Sequence, residues 1–189
     1  PSPMPDEIPV TSHAEGDTVA GLTLHHTPGH TCGHLAVRAG RTLYVGDAVL
    51  PMYTPNVGGS DTRTRGENPL ATYLDTLDGI LAMDVDPQAR PGHGASVSLG
   101  ERIETMRRHH EDRVRGVVEA VPPESAATPW QVARTLFGEM DGIHAKMGAG
   151  EAAAHLEYAA ARGLVDTVSD RPVSYRVTDL RPDDVTLLE

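Results

Sequence analysis

The chain has 189 residues, of which 16 are basic and 27 acidic, giving a formal net charge of −11, and 39% are hydrophobic. This composition is globular and excludes wholesale disorder, and no apolar run reaches the ~18 residues needed to cross a bilayer. A single cysteine, Cys32, excludes an internal disulfide framework, and an acidic excess spread along the chain argues against duplex binding, which needs clustered cations.

The opening residues show no basic-then-apolar leader, so a cytoplasmic protein is expected. The basic set is 15 arginines and Lys146 alone. Lysine scarcity beside surplus carboxylates suits a GC-rich genome or a salt-adapted, halophilic cytoplasm. Pro1 to Pro9 carries four prolines and reads as an irregular lead-in. Thr18 to His26 has strand composition and is followed by the Gly/His-rich segment Thr27 to His34. Leu35 to Arg38 and Thr42 to Gly46 read as two strands of a hairpin, with Gly40 in the turn. Pro51 to Glu67 is a long loop, a kind of segment that is often functional.

Asn68-Pro69 has the form of a helix cap followed by proline in the first turn. Leu70, Tyr73, Leu74, Leu77, Ile80 and Leu81 then repeat at helical spacing. Gln88 to Arg90 leads into Pro91-Gly92-His93-Gly94. Glu101 to Val121 is a second helix, with Ile103, Met106, His110, Val114 and Val117 on one face. Its other face is arginine-rich, with acidic residues interleaved, which suits a solvated surface.

Pro122 to Ala127 is the linker candidate, dividing residues 1–121 from 128–189. Thr128-Pro129 repeats the cap-plus-proline start. Ile143 to Met147 and Gly150 to Arg162 follow as a short and a longer helix, then strands Leu164 to Val168 and Val173 to Val177. Helix, helix, helix and hairpin is the winged-helix order. Residues 128–189 hold six basic and ten acidic side chains, so this part is expected to pack, dimerise or cover a site; nucleic-acid recognition needs a cationic footprint.

Three short words carry chemistry: TPGHTCGH (Thr27 to His34), YVGDAV (Tyr44 to Val49) and PGHG (Pro91 to Gly94). Each sets a metal-capable side chain just past a strand-like segment and beside glycines that allow sharp turns. His30, Asp47 and His93 thus offer two imidazoles and a carboxylate, a mixture suited to zinc, iron or manganese and not to calcium.

The ordered set resembles the second half of a metallo-β-lactamase-fold hydrolase, nearest to the glyoxalase II-like enzymes and the lactamase-like endoribonucleases with a C-terminal winged helix. The resemblance implies an α/β fold: the second half of an αββα sandwich, then a winged-helix-like α+β domain. It assigns His30, Asp47 and His93 as metal ligands, Asp47 also as the catalytic bridge between two zinc ions, and implies hydrolysis by a metal-activated water. His34 is expected to orient a ligand, and Cys32 to fill space. Tyr53, Asn56 and Asp61, in the loop after Asp47, are the expected substrate contacts.

The family's H-x-H-x-D-H motif is absent from this chain, and only 29 residues precede His30. The expectation is therefore a C-terminal half that binds metal weakly or not at all by itself. Thioester or small-ester hydrolysis of a small-molecule substrate is favoured. Single-stranded RNA cleavage by the same fold, and a non-catalytic scaffold or homodimer, remain the alternatives.

Overall fold

The computed structural model of the chain describes residues 11–58 and 68–188. Eight strands and four helices follow in order. They are β1 (Thr18–Val19), β2 (Leu22–His26), β3 (Leu35–Ala39), β4 (Thr42–Gly46), α1 (Pro69–Leu81), β5 (Gln88–Pro91), β6 (Val97–Ser98), α2 (Leu99–Glu119), α3 (Pro129–Phe137), α4 (Gly142–Ala161), β7 (Val165–Asp170) and β8 (Val173–Val177).

Strands β1 to β6 form one sheet in sequence order. β2, β3 and β4 pair antiparallel, whereas β4 and β5 are parallel. A parallel pair requires a crossover connection, and α1 supplies it. β2, β4 and β5 therefore run in the same direction, and their C-terminal ends open on one edge of the sheet. TPGHTCGH, the aspartate of YVGDAV and the histidine of PGHG all leave from that edge.

The Thr18 to His26 segment is not one strand. Ala20 and Gly21 adopt positive φ (51° and 82°) and turn the chain between β1 and β2. Helix α1 starts where its cap residues place it, with Asn68 Oδ1 accepting from Ala71 N at 2.9 Å. Its buried residues include Leu70, Tyr73, Leu74, Leu77 and Ile80, the stripe read from the sequence, with Leu81 left exposed at its end. In α2, Ile103, Met106, His110, Val114, Val117 and Val118 are buried. The arginines on its other face are bonded within the chain: Arg102 to the Leu50 carbonyl, Arg107 to Asp78, Arg113 to Glu151, and Arg115 to Glu111 and Asp183.

Helix α3 is closed by a full capping box, Thr128 and Gln131 bonding reciprocally. The two helices expected over Ile143 to Arg162 are a single helix, α4. Glycine inside a helix costs about 1 kcal/mol relative to alanine, which suggests a break on local grounds. Here tertiary packing overrides it, since Gly148 lies against Met140 and Phe137, and Gly150 against Gly58. Among the described residues, 128–188 thus hold two α-helices and the β7–β8 hairpin, not the three helices of the winged-helix order. One buried core runs from the sheet (Leu43, Val45) through α2 (Ile103, Val114) to α4 (Leu156, Ala159).

Candidate metal centre

The TPGHTCGH loop is closed at its base by Thr27 N donating to the His34 carbonyl at 2.9 Å. Helix α1 reaches under it, and Thr76 Oγ1 donates to the Pro28 carbonyl at 2.7 Å. The same helix supports the next loop, where the buried Tyr73 hydroxyl donates to the Ala48 carbonyl at 2.7 Å. Burial of the phenol raises its pKa, so it stays a donor. Arg102 on α2 adds a bond to the Leu50 carbonyl at 2.6 Å. Three helix side chains therefore brace the two loops that present His30 and Asp47.

Asp47 directly follows β4, and His93 lies two residues beyond β5. The two strand ends are joined by Gly92 N donating to the Gly46 carbonyl at 2.7 Å. This close approach explains the glycine in PGHG. A Cβ on Gly92 would overlap Asp47 Oδ1 and lie 3.3 Å from the Gly46 carbonyl carbon. Gly46 has φ 53°, and a Cβ there would meet His34 Nε2 at 2.7 Å.

His34 does not join the rim; it holds it. Asp47 N donates to His34 Nε2 at 3.0 Å, so Nδ1 carries the ring proton and donates to Thr27 Oγ1 at 2.7 Å. Burial and the neighbouring His30 both push the His34 pKa down, which keeps the ring neutral and Nε2 free to accept.

His30 is oriented from its other side. Its Nδ1 donates to the Asn56 carbonyl at 3.2 Å, the arrangement by which metal-ligating histidines usually fix their tautomer. Nε2 then faces Asp47 Oδ2 at 3.9 Å, and His93 Nε2 faces the same oxygen at 3.6 Å. Both separations are too long for hydrogen bonds. They lie close to the ~3.3 Å that two donors subtend across a tetrahedral zinc with ~2.0 Å bonds. The chemistry of these donors, two imidazole nitrogens and a carboxylate oxygen, fits such an ion. Among the described residues, no three His, Cys, Asp or Glu side chains are grouped so that they could hold a metal ion by themselves; His30 and His93 each approach Asp47 as a pair.

Tyr53 is strongly exposed and Asp61 lies outside the described residues. Asn56 is tied to helix α4 by its side chain. Its amide Nδ2 donates to the Met147 carbonyl and to Glu151 Oε2 of α4, both at 3.4 Å. Glu151 also pairs with Arg113 of α2 at 3.2 Å, while burial raises its pKa. Cys32 is part-buried, and its carbonyl accepts from His26 Nε2 at 2.7 Å.

Sequence reasoning missed Tyr73, Thr76, Arg102 and Glu151. Tyr73 was legible only as core, and the helix-to-loop bonds of the other three carry no local signature.

Residues 2–93 match the family model described as the metallo-beta-lactamase superfamily. No curated protein matches the chain. A solved metallo-beta-lactamase family protein from Thermus thermophilus is 30% identical, with a TM-score of 0.75 over 92% of this chain and 56% of that one. A beta-lactamase domain protein from Burkholderia ambifaria is 26% identical, with a TM-score of 0.74 over 92% of this chain and 53% of that one. The chain thus spans little more than half the length of these relatives. Its fold agrees with theirs over 92% of its length: the chain belongs to the metallo-beta-lactamase superfamily, a fold of metal-dependent hydrolases.

Proposed function

We propose that this chain supplies one side of a metal-dependent hydrolytic centre, with His30, Asp47 and His93 as ligands and Asp47 shared between two ions. The observation that carries this reading is that both histidine Nε2 atoms face Asp47 Oδ2, His30 at 3.9 Å and His93 at 3.6 Å, beyond hydrogen-bond reach, so the carboxylate lies between the two imidazoles. Zinc is the expected metal, with iron or manganese as the other candidates for this donor set. When bound, the ions would supply an activated water for attack on a carbonyl or phosphoryl group.

The chain's own residues hold and orient. His34 and Tyr73 fix the backbone around Asp47, the Asn56 carbonyl sets the His30 ring, and Gly92 lets the β4 and β5 ends close together. The substrate is a small thioester or ester; the net charge of −11 disfavours a polyanion such as RNA.

Equilibrium dialysis with zinc, manganese and iron(II) tests the ligand set. Weak binding that disappears in Asp47→Asn and falls in His93→Ala supports it, and affinity unchanged in both variants overturns it. Assays on a thioester and on single-stranded RNA with added metal test the substrate class. Thioester cleavage alone upholds the proposal, and RNA cleavage lost in His93→Ala would replace it with a nuclease. A stable dimer indifferent to metal and to both variants would replace it with a scaffold.

A further inference from the structure

A cavity of about 660 Å³ lies between the Asn56 loop and helices α3 and α4. Its size is that of a small-molecule site. Phe137, Met140, Met147 and Gly148 form an apolar wall, and methionines suit a wall that must adapt to an occupant. Arg113 stacks on the Phe137 ring at 4.5 Å and fixes that side chain. Gly148 lets Met140 and Phe137 pack close to α4, because a Cβ there would press on Met140 Sδ at 2.6 Å.

The rim is acidic. Glu139, Asp141 and Glu151 line it with His144. Arg134 offsets Glu139 and Arg113 offsets Glu151. Asp141 holds the N-cap position of α4, but its side chain makes no capping hydrogen bond. Asn56 belongs both to this lining and to the support of His30, so the cavity abuts the Asp47 rim through a single residue.

We propose that this cavity is a recognition pocket for the non-reacting part of the substrate, taking a compact apolar body that ends in a cationic or neutral head and rejecting a carboxylate. The apolar wall accounts for the body, and the carboxylates of Glu139, Asp141 and Glu151 along the rim account for the head. The pocket deepens the hydrolase reading and rests on it, because it places the substrate beside the loop that sets His30.

Binding is measured on the full chain without metal, following the methionine methyl signals by NMR. The probes are hexyltrimethylammonium, hexanol and hexanoate, which share one alkyl chain and differ in charge. The first two are expected to shift Met140 and Met147, leaving Met52, Met83 and Met106 unmoved, with hexanoate binding at least tenfold more weakly. Met147→Lys is expected to abolish binding of the cation while hexanol still binds, and Gly148→Ala to weaken both severalfold. Asp47→Asn is expected to leave all three unchanged, so this test fails or succeeds separately from the metal titration. No shift with any probe, hexanoate binding as tightly as the cation, or shifts spread over the other methionines would each overturn the pocket.

Discussion

The imidazole of His34 accepts the backbone N–H of Asp47 at 3.0 Å through Nε2, while its Nδ1 is committed to Thr27 at 2.7 Å. A side chain with both ring nitrogens spent inside the protein cannot also bind an ion. His34 is thereby removed from the ligand count and becomes the strut that points Asp47 outward. Replacing it leaves a part-buried N–H without a partner. His34→Ala is expected to lower stability by about 1–3 kcal/mol and weaken metal affinity about 10–100-fold. Urea unfolding and competition with a chromophoric chelator check the two effects, and a variant with unchanged affinity contradicts the role.

Gly92 makes a sharper test because its contact is steric. A methyl group there collides with the Asp47 carboxylate, which cannot retreat without turning away from His30 and His93. Overpacking of this kind costs about 1–3 kcal/mol. Gly92→Ala should therefore lose metal binding to the same extent as Asp47→Asn, whereas Gly100→Ala, where a Cβ meets open space, should leave it intact.

Between α2 and α4, His110 Nδ1 donates to His155 Nε2 at 3.0 Å, and His155 Nδ1 donates to the Glu151 carbonyl at 2.7 Å. Burial pushes the His155 pKa down to about 3 and His110 well below its ordinary value. In the unfolded chain both titrate near ~6.5. The unfolded state therefore binds more protons below that value, so the stabilisation is complete above pH ~6.5 and is lost as pH falls toward 3. Glu151, whose pKa burial raises, works in the opposite sense: its contribution is present below the ordinary value of 4.5 and lost as pH rises through its folded value. The urea midpoint is expected to drop between pH 7 and pH 4. His155→Leu should flatten that slope, and an identical slope in the variant would show that the pair does not control it.

Helix α3 offers a local control. Thr128 Oγ1 accepts from Gln131 N at 3.3 Å, and Thr128 N donates to Gln131 Oε1 at 2.8 Å. Thr128→Ala should cost about 1 kcal/mol in urea unfolding while leaving metal affinity unchanged. Because the Ala127–Tyr175 bridge lies next to this cap, loss of β7–β8 amide protection should accompany the change.

Much of this fold is legible in the sequence, for reasons that differ from place to place. Asn68-Pro69 and Thr128-Pro129 mark helix starts because capping is chemistry between residues three apart. That His30, Asp47 and His93 meet at one sheet edge is legible because each sits in a short glycine-bearing word after a strand. The turn at Ala20-Gly21 was missed because alanine rarely takes positive φ, and its neighbours keep strand composition on both sides. The continuity of α4 through Gly148 and Gly150 depends on Met140, Phe137 and Gly58, none of which lies in the helix. Glu151 meets Asn56 across 95 positions of sequence, and no periodicity encodes a partner that far away.

That long-range grip changes how shortened versions of the protein must be interpreted. Cutting the chain at Pro122 would look like trimming a dispensable tail from a catalytic half. It would in fact take away the carbonyl and carboxylate that clasp the Asn56 amide, and with them the backbone oxygen's hold on the His30 imidazole. A fall in metal affinity in such a deletion would report a released brace, with His30, Asp47 and His93 all still encoded.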